Sequence, residues 1–468
     1  MTYLIFVSCS PERKKDSFFI TSLSPFPTEE ELSLHTGLNY TILFKEGDTV
    51  YNSEGLVGKA KGNHDCITLQ SSAKNKATLF IGHETRRQND LLGDGGGATL
   101  FDIEKQSGKW AVSSKKYNVD FREVGATLNN CGGTLTPKGT ILSAEEIAPP
   151  SNEMIKPLIS DLSDFGGKPK YLNFGWMVEI DPKLQVATQK LFSMGRYKHE
   201  DAQCMPDGKT VYLTNDNSPA LFFKFVADKI HDYSKGQLYA YQQNTDDRSG
   251  HWLLIPRDRN SLERAREIGI RLGATLFNRH EWISLVGDKL YITETGKDEA
   301  NWDKFIKMGG KPAHYFKRNE KGLFDDPYGR VLVFDLATQK IDVLIEGGIS
   351  EKDPQTVFSN PDGMEAVQWK GRNYLMLNED IIGTNRQRSI YSTAVFNEIY
   401  LLDLSIPNPK VADLERVLVA PKGAETTGST FSPDKETFFV NIQHPNPNNK
   451  VINRSATIAI TGWKTFLK

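Results

Sequence analysis

Hydrophobic positions along the chain fall in short runs, not in long amphipathic stretches. The runs are rich in β-branched and aromatic residues, and turns of Gly, Asp, Asn and Pro separate them. This pattern is typical of β-strands. The clearest helical periodicity lies in residues 260–272. The pattern therefore predicts an all-β protein with a few short helices.

Six segments share one form, in which a polar turn precedes a hydrophobic strand that ends in acidic, amide or His residues. They are KATLFIGHE (Lys76–Glu84), KGTILSAEE (Lys138–Glu146), GKTVYLTND (Gly208–Asp216), GDKLYITET (Gly287–Thr295), GRNYLMLNED (Gly371–Asp380) and KETFFVNIQH (Lys435–His444). Most are followed by a second strand that ends in an Asp turn. Repeats at intervals of roughly 60–85 residues predict a six-bladed β-propeller with long loop insertions.

In a propeller, equivalent strand ends from different blades meet at one mouth of the central channel. The six polar clusters would therefore lie together. Ordinary turn chemistry is the alternative, because turns favour Asp and Asn. The doublets Glu145-Glu146 and Glu379-Asp380 favour a shared metal site, since crowded carboxylates repel one another unless cations neutralise them. Oxygen ligands suit Ca²⁺, and a thiolate or imidazole shifts the preference to a transition metal.

Two residues outside these strand ends are candidates for the chemistry of such a site. Cys131 precedes Glu146 by fifteen residues and is a candidate thiolate ligand, although a single Cys is more often a small buried hydrophobe. Arg279, next to His280-Glu281, could hold a phosphate oxygen or form a surface salt bridge. Clustered metals suit phosphate-ester hydrolysis. The sequence contains no G-x-S-x-G, Walker-type or H-E-x-x-H motif.

Composition narrows the class of protein. The 468 residues include 57 Lys and Arg against 59 Asp and Glu, and 38% are hydrophobic. A soluble globular protein fits these values, and a primary role in nucleic-acid binding does not. Apart from Cys9 the chain has three Cys, which excludes a dense disulfide framework.

The N-terminus carries a short apolar run, Leu4–Cys9, that ends at a small residue followed by Cys. This run resembles the end of a bacterial lipoprotein signal, and an accidental apolar N-terminus is the alternative. We predict that residues 1–36 are a residual signal and tether with lipidation at Cys9, and that residues 37–468 form a single propeller domain. The expected location is exported, either periplasmic or membrane-anchored.

Several motifs taken together resemble the PhoX-type alkaline phosphatases. The likeness covers residues 62–445 and lies in these stretches: GNHDCITL, GHE, NNCGG, TPKGT, GWMVEIDP, GRYKHEDA, FFKFV, RHEW, NPDG and ETTGSTFSPDKETFFVNIQHP. The resemblance implies a six-bladed propeller that hydrolyses phosphate monoesters. It also implies Fe³⁺ and Ca²⁺ at the channel mouth, where they activate the attacking oxygen.

Matching positions imply roles for individual residues. Cys131 looks like the iron-binding thiolate, Glu200 and Glu281 look like carboxylate ligands, Glu146 and Asp216 look like calcium-side ligands, and Arg279 looks like the phosphate-binding residue. Further candidate metal ligands are Glu84, Glu145, Asp362, Glu379, Asp380 and His444. The chain departs from the family pattern at Lys138, where Trp is usual, at His280, where Pro is usual, at Asn215, where Asp is frequent, and at Gly363, where Asn is usual.

Two other functions remain open at this point. The NPDG motif and the carboxylates also suit a calcium-dependent lactonase propeller, although lactone hydrolysis needs neither the Cys131 motif nor the Arg279 motif. A non-catalytic surface propeller that binds a partner is the other alternative. For the phosphatase we expect a monomer that acts on small phosphate esters, with no nucleic-acid partner and with membrane contact only through the lipid anchor.

Overall fold

The computed structural model describes residues 31–89, 91–313, 316–352, 356–381 and 396–463. Most of these residues form β-strands, and the helices are short. Six sheets have four or more strands each, and we number them I to VI in chain order of their innermost strands.

Each of the six sheets extends from an innermost strand to an outermost strand, and its strands follow in that order. Sheet I contains His64–Ala73, Lys76–His83, Ala98–Gln106, Tyr117–Asn118, Thr49–Tyr51 and Val57–Lys59, with Lys109–Val112 paired to its third strand. Sheet II contains Asn130–Leu135, Ile141–Glu145, Met177–Asp181 and Val186–Lys190. Sheet III contains His199–Cys204, Thr210–Asn215, Phe223–Lys229, Asp232–Gln243 and Gly250–Leu254. Sheet IV contains His280–Val286, Lys289–Glu294, Arg330–Asp335 and Lys340–Glu346. Sheet V contains Pro361–Trp369, Arg372–Glu379, Glu398–Asp403, Glu415–Val419 and Ser33–Leu34. Sheet VI contains Glu425–Phe431, Thr437–Gln443, Ala456–Thr461 and Asn39–Lys45.

The remaining elements are short and lie in the connections. Three two-stranded sheets pair Thr275–Leu276 with Lys311–Pro312, Lys317–Arg318 with Phe324–Asp325, and Gly348–Ile349 with Val357–Phe358. The α-helices are Asn152–Ile155, Arg259–Leu262, Ala265–Leu272 and Asp303–Lys307, and the 3-10 helices are Arg122–Val124, Lys170–Asn173, Phe192–Met194 and Val411–Asp413. The helical periodicity at residues 260–272 is thus confirmed, with a break between two helices. No helix among the described residues has both the length and the apolar character needed to cross a membrane.

The innermost strands of the six sheets contact one another in a closed ring, from sheet I through sheet VI and back to sheet I. This arrangement confirms the all-β class and the propeller. Five sheets, II to VI, are regular antiparallel blades of four or five strands. Sheet I departs from the prediction of six like blades, because the hairpin Thr49–Lys59 extends it through a parallel pair at Tyr51 and Tyr117.

The six repeated segments of the sequence are the second strands of the six sheets. Their side chains are almost wholly buried, because each second strand has a neighbouring strand on both sides and a sheet on each face. Asn39–Lys45 joins the last sheet beside Ala456–Thr461, so a strand near the N-terminus closes the ring with C-terminal strands. Apolar side chains pack between the sheets and form the core.

Candidate metal centre at the channel mouth

The last residue of a second strand and the residue after it have different environments. In sheet II, Glu145 ends the strand, and its carboxylate accepts hydrogen bonds from Lys190 Nζ at 2.8 Å and from the N–H groups of Gly175 and Trp176 at 3.0 and 3.1 Å. In sheet V, Glu379 accepts from the N–H groups of Ser359 and Glu398 at 2.8 and 3.0 Å. The structure therefore directs Glu145 and Glu379 into their own sheets and does not bring them to the mouth.

The residues that follow these strand ends lie at the mouth. They are Glu84, Glu146, Asp216, Thr295, Asp380 and His444, one from each sheet. Some of their contacts join different sheets: Lys198, which directly precedes the inner strand of sheet III, lies 3.1 Å from Glu146 Oε1 of sheet II. The alternation follows from strand geometry, since successive side chains point to opposite sides.

The innermost strands supply a second set of side chains. In sheets I to V the pairing between the first and second strands shifts register at the same place, near the start of the inner strand. A shift of this kind is a bulge, and a bulge re-aims the side chains within it. The residues in the irregular segments include Asp65, Cys131, Glu200, Glu281 and Asp362.

Two groups of carboxylates are close enough to share ions. Oxygens of Glu200, Glu281 and Asp362 lie within 4.8 Å of one another, and so do oxygens of Asp362, Asp380 and Glu425. Asp362 belongs to both groups, so the five residues form one continuous cluster, which we call the acidic half of the mouth. Its members come from sheets III, IV, V and VI, between residues 200 and 425.

Burial and mutual repulsion raise the pKa of most carboxyls in the acidic half. Burial is the larger cause for Glu200, Glu281, Asp362 and Glu425, and the charges of neighbouring carboxylates add to it. Asp65 lies nearby with its carboxylate 2.6 Å from Thr427 Oγ1, and burial raises its pKa to about 7. Buried carboxylates without a cation resist ionisation, so this donor set fits bound metal ions.

Three further carboxylates at the mouth, Glu84, Glu146 and Asp216, already have cations or amide donors beside them, and we call this set with its partners the paired half. Asp216 lies 2.7 Å from Arg279 Nε and 3.5 Å from Lys198 Nζ. Burial alone would raise the pKa of Asp216. The two cations lower that pKa by a larger amount, so it lies well below its usual range. Asn129 donates to Glu84 at 2.9 Å and also to Glu146, while Gln443 donates to the other oxygen of Glu84 at 2.9 Å.

Arg279 joins the two halves. Its Nε contacts Asp216, and its Nη2 lies 3.1 Å from Glu281 Oε1. Burial alone would lower the pKa of Arg279, but Asp216 and Glu281 raise it well above its usual value, so the side chain stays cationic. Its backbone φ of +61° is rare for a residue with a side chain, and its N–H donates to Asn217 O at 3.0 Å. A fixed cation thus sits between the acidic and paired halves.

Cys131 is buried beside the strand that carries Glu200. Its Sγ lies 3.3 Å from both the carbonyl oxygen of His199 and that of Glu200. Burial raises the pKa of this thiol, and the charge of Glu200 raises it further. A thiolate at this position therefore requires a cation next to it. The three described cysteines, Cys66, Cys131 and Cys204, are all free.

Three departures from the family pattern do not introduce a new side chain at the mouth. The ring of His280 is buried against Phe277 and lies 3.3 Å from Glu294 Oε1, inside sheet IV. Lys138 is half exposed in a turn and lies 3.8 Å from Glu179. At Gly363 an added Cβ would approach the Cβ of Asn378 to 3.2 Å, so glycine leaves room for that amide.

Sequence reasoning missed Asp65 as a ligand candidate and missed Glu425. A signal for Asp65 was present, because His64-Asp65 has the same form as His199-Glu200 and His280-Glu281. Glu425 begins the inner strand of sheet VI, and His444 Nε2 lies 3.9 Å from it. The candidate lipidation site Cys9 lies outside the described residues.

With this geometry established, the comparisons decide the family. The family model described as "Alkaline phosphatase PhoX" matches residues 21–446. The chain belongs to this family. As a PhoX member it is a metal-dependent phosphatase. No curated protein matches the sequence.

One of three solved structures compared with the chain agrees with the PhoX assignment at the level of the fold. Pseudomonas fluorescens PhoX in complex with vanadate, a transition state analogue, is 21% identical and covers 93% of this chain and 96% of its own, with a TM-score of 0.71. A Trypanosoma rangeli sialidase with sialic acid has a TM-score of 0.40 at 9% identity, covering 92% of this chain and 60% of its own. A gluconolactonase from Xanthomonas campestris has a TM-score of 0.34 at 10% identity, covering 90% and 99%.

Proposed function

We propose that the channel mouth hydrolyses phosphate monoesters with the help of iron and calcium ions held by the acidic half. One observation carries this proposal: buried carboxylates from four sheets converge in two groups that share Asp362. Carboxylates that come from separate sheets yet lie within 4.8 Å of one another are held together at a cost in electrostatic repulsion. Bound cations remove that repulsion.

The donor set supports a mixed choice of metals. Oxygen ligands from Asp362, Asp380 and Glu425 suit a hard ion such as Ca²⁺. The Cys131 sulfur beside Glu200 favours iron nearby. We predict that Cys131→Ser lowers the iron content of the purified protein and the rate by at least about 10²-fold. Metal analysis and the phosphatase rate are measured together, and an unchanged rate with unchanged iron would remove Cys131 from the site.

The chain's own residues prepare the site for a phosphate. When bound, the cations would neutralise the charge of the phosphate oxygens and make the attacking oxygen a better nucleophile. Arg279 presents a fixed guanidinium between the two halves, where it can orient a phosphate oxygen. Lys198 adds a second cation on the paired side and holds Glu146 and Asp216 in place.

A direct assay tests this function. Purified protein is incubated with p-nitrophenyl phosphate and, separately, with a simple lactone, before and after treatment with a chelator. We expect phosphate-ester hydrolysis that the chelator abolishes and that added iron and calcium restore, with no lactone hydrolysis. Hydrolysis of the lactone alone would assign the site to a lactonase, and full phosphatase activity in metal-free protein would contradict the metal centre.

We also propose that sheet I serves as the sixth blade, that the protein acts as a monomer, and that it is exported with a lipid on Cys9. The position of sheet I in the closed ring supports the first point. The run Leu4–Cys9 supports the last. Labelling with a radioactive fatty acid in cells, compared between wild type and Cys9→Ser, tests the anchor.

A further inference from the structure

A groove of about 330 Å³ opens directly from the paired half of the mouth. Glu146 and Lys198 belong both to the mouth and to the wall of the groove. A ligand that reaches Lys198 at the mouth can therefore extend into the groove without leaving the protein surface. The volume suits a group of the size of a sugar phosphate.

The groove is rich in positive charge. Its lining contains five cationic side chains, which are Arg86, Arg196, Lys198, Arg264 and Arg266. Three carboxylates also line it, which are Glu146, Glu263 and Glu267. Glu263 lies 2.7 Å from Arg259 and 3.7 Å from Lys168, two cations outside the groove, so its charge is compensated elsewhere.

Two of the guanidinium groups are anchored without a carboxylate partner in contact. Arg196 donates to the carbonyl oxygens of Phe174 at 2.7 Å and Tyr171 at 3.1 Å. Arg266 donates twice to the carbonyl oxygen of Pro219, at 2.6 and 3.1 Å. A carbonyl fixes the direction of a guanidinium but does not neutralise its charge. Burial lowers the pKa of these two guanidinium groups to about 10, so both groups remain cations at neutral pH.

The outer part of the groove has cations that solvent can reach. Arg86 is exposed and forms no ion pair with any described residue. Arg264 is also exposed and has one loose contact, 3.5 Å from Glu267. Guanidinium groups bind phosphate with two parallel hydrogen bonds, so a free guanidinium beside fixed cations is suited to a phosphate dianion.

We propose that this groove binds a second phosphate group carried by the leaving group of the substrate. The proposal rests on the proposed phosphatase function and narrows its substrate class to small esters with two phosphates. The mouth would take the phosphate that is cleaved, and Arg86 and Arg264 would take the other. The groove cations do not touch the acidic half, so they act on substrate affinity and not on the chemical step.

The test compares two esters that share one sugar, glucose 6-phosphate and glucose 1,6-bisphosphate, at low ionic strength. For wild type we expect KM to be about tenfold lower for the bisphosphate, the size expected for charged hydrogen bonds. The double variant Arg86→Ala/Arg264→Ala should lose this preference and keep its kcat on glucose 6-phosphate. Arg87→Ala is the matched control, because Arg87 is exposed next to Arg86 but does not line the groove.

Two results would overturn the proposal: equal KM values for the two esters in wild type, or a preference that survives in the double variant. If neither ester is hydrolysed, the proposed function fails, and calorimetric titration with glucose 1,6-bisphosphate decides the groove separately. Weaker binding to the double variant than to wild type and Arg87→Ala would then support the groove, and equal binding to all three would reject it.

Discussion

Both halves of the channel mouth contain buried carboxylates, but the groups that surround those carboxylates differ. In the paired half, Asp216 has Arg279 and Lys198 beside it and keeps its charge without any ion. In the acidic half, Asp362 lies among other carboxylates, and its pKa is raised by burial and by Glu281. The difference shows that the chain supplies its own countercharge for Asp216 and leaves that of the carboxylates around Asp362 to metal ions.

The largest effect should come from the residue common to both carboxylate groups. We expect Asp362→Asn to lower kcat/KM for a phosphate ester by about 10³-fold, because the change removes an anionic ligand shared by both groups. Steady-state kinetics and metal analysis measure the result. Glu351→Gln, at an exposed position, is the control and should behave like wild type. An Asp362→Asn protein with wild-type metal content and rate would show that the acidic half is not the centre.

A substitution of Arg279 tests the role of the cation that lies between the two halves. Arg279→Lys keeps the charge but loses the fork that reaches Asp216 and Glu281 together, so we expect kcat/KM to fall by roughly 10²-fold. The exposed Arg271→Lys serves as the matched control. A lysine variant with the full rate would mean that charge alone is needed at this position.

The adjacent residues Glu145 and Glu146 of sheet II are expected to have different roles, one in stability and the other in the reaction. Glu145→Gln leaves the buried Lys190 without its carboxylate and should lower the free energy of unfolding by about 3–5 kcal/mol. Glu146→Gln should leave stability nearly unchanged and lower the rate instead. Denaturant unfolding and the rate per folded molecule measure the two effects. A loss of activity without a loss of stability in Glu145→Gln would reverse the assignment.

These residues also show how far the sequence predicts the structure. The repeated strand endings located all six second strands, because burial on both faces leaves a long apolar run that ends at a polar turn. The sequence could not tell which member of Glu145-Glu146 faces the mouth, since that depends on strand register. It also could not show that Asp216 is neutralised, because Arg279 is 63 residues away along the chain.

A bulge accounts for the failure to predict Asp65 at the site. Asp65 lies where the pairing of the inner strand with its neighbour shifts register. The local pattern of hydrophobic residues does not predict such a bulge. Resemblance to a family carried over Cys131, Glu200 and Glu281, which the structure places at equivalent irregularities. Their roles as metal ligands stay predictions.

A pH dependence of stability is also expected in metal-free protein. The pKa values of Asp65 and Asp201 are raised to about 7 by burial, whereas both would titrate near 4 in the unfolded chain. Between about pH 4 and 7 the unfolded state therefore binds fewer protons, so the free energy of unfolding falls as pH rises. Thermal unfolding across this range measures it, and added metal should flatten the slope. A metal-free protein that gains stability through this range would contradict this explanation.

The central claim is that the acidic half of the mouth binds metal ions. The metal content per chain tests this claim most directly. Elemental analysis of the purified wild-type protein and of Asp362→Asn counts the ions that the acidic half retains. We predict at least two metal ions per wild-type chain, iron and calcium among them, and a clear loss in the variant. Equal metal content in the two proteins, or a fully active wild-type protein without metal, would contradict the claim.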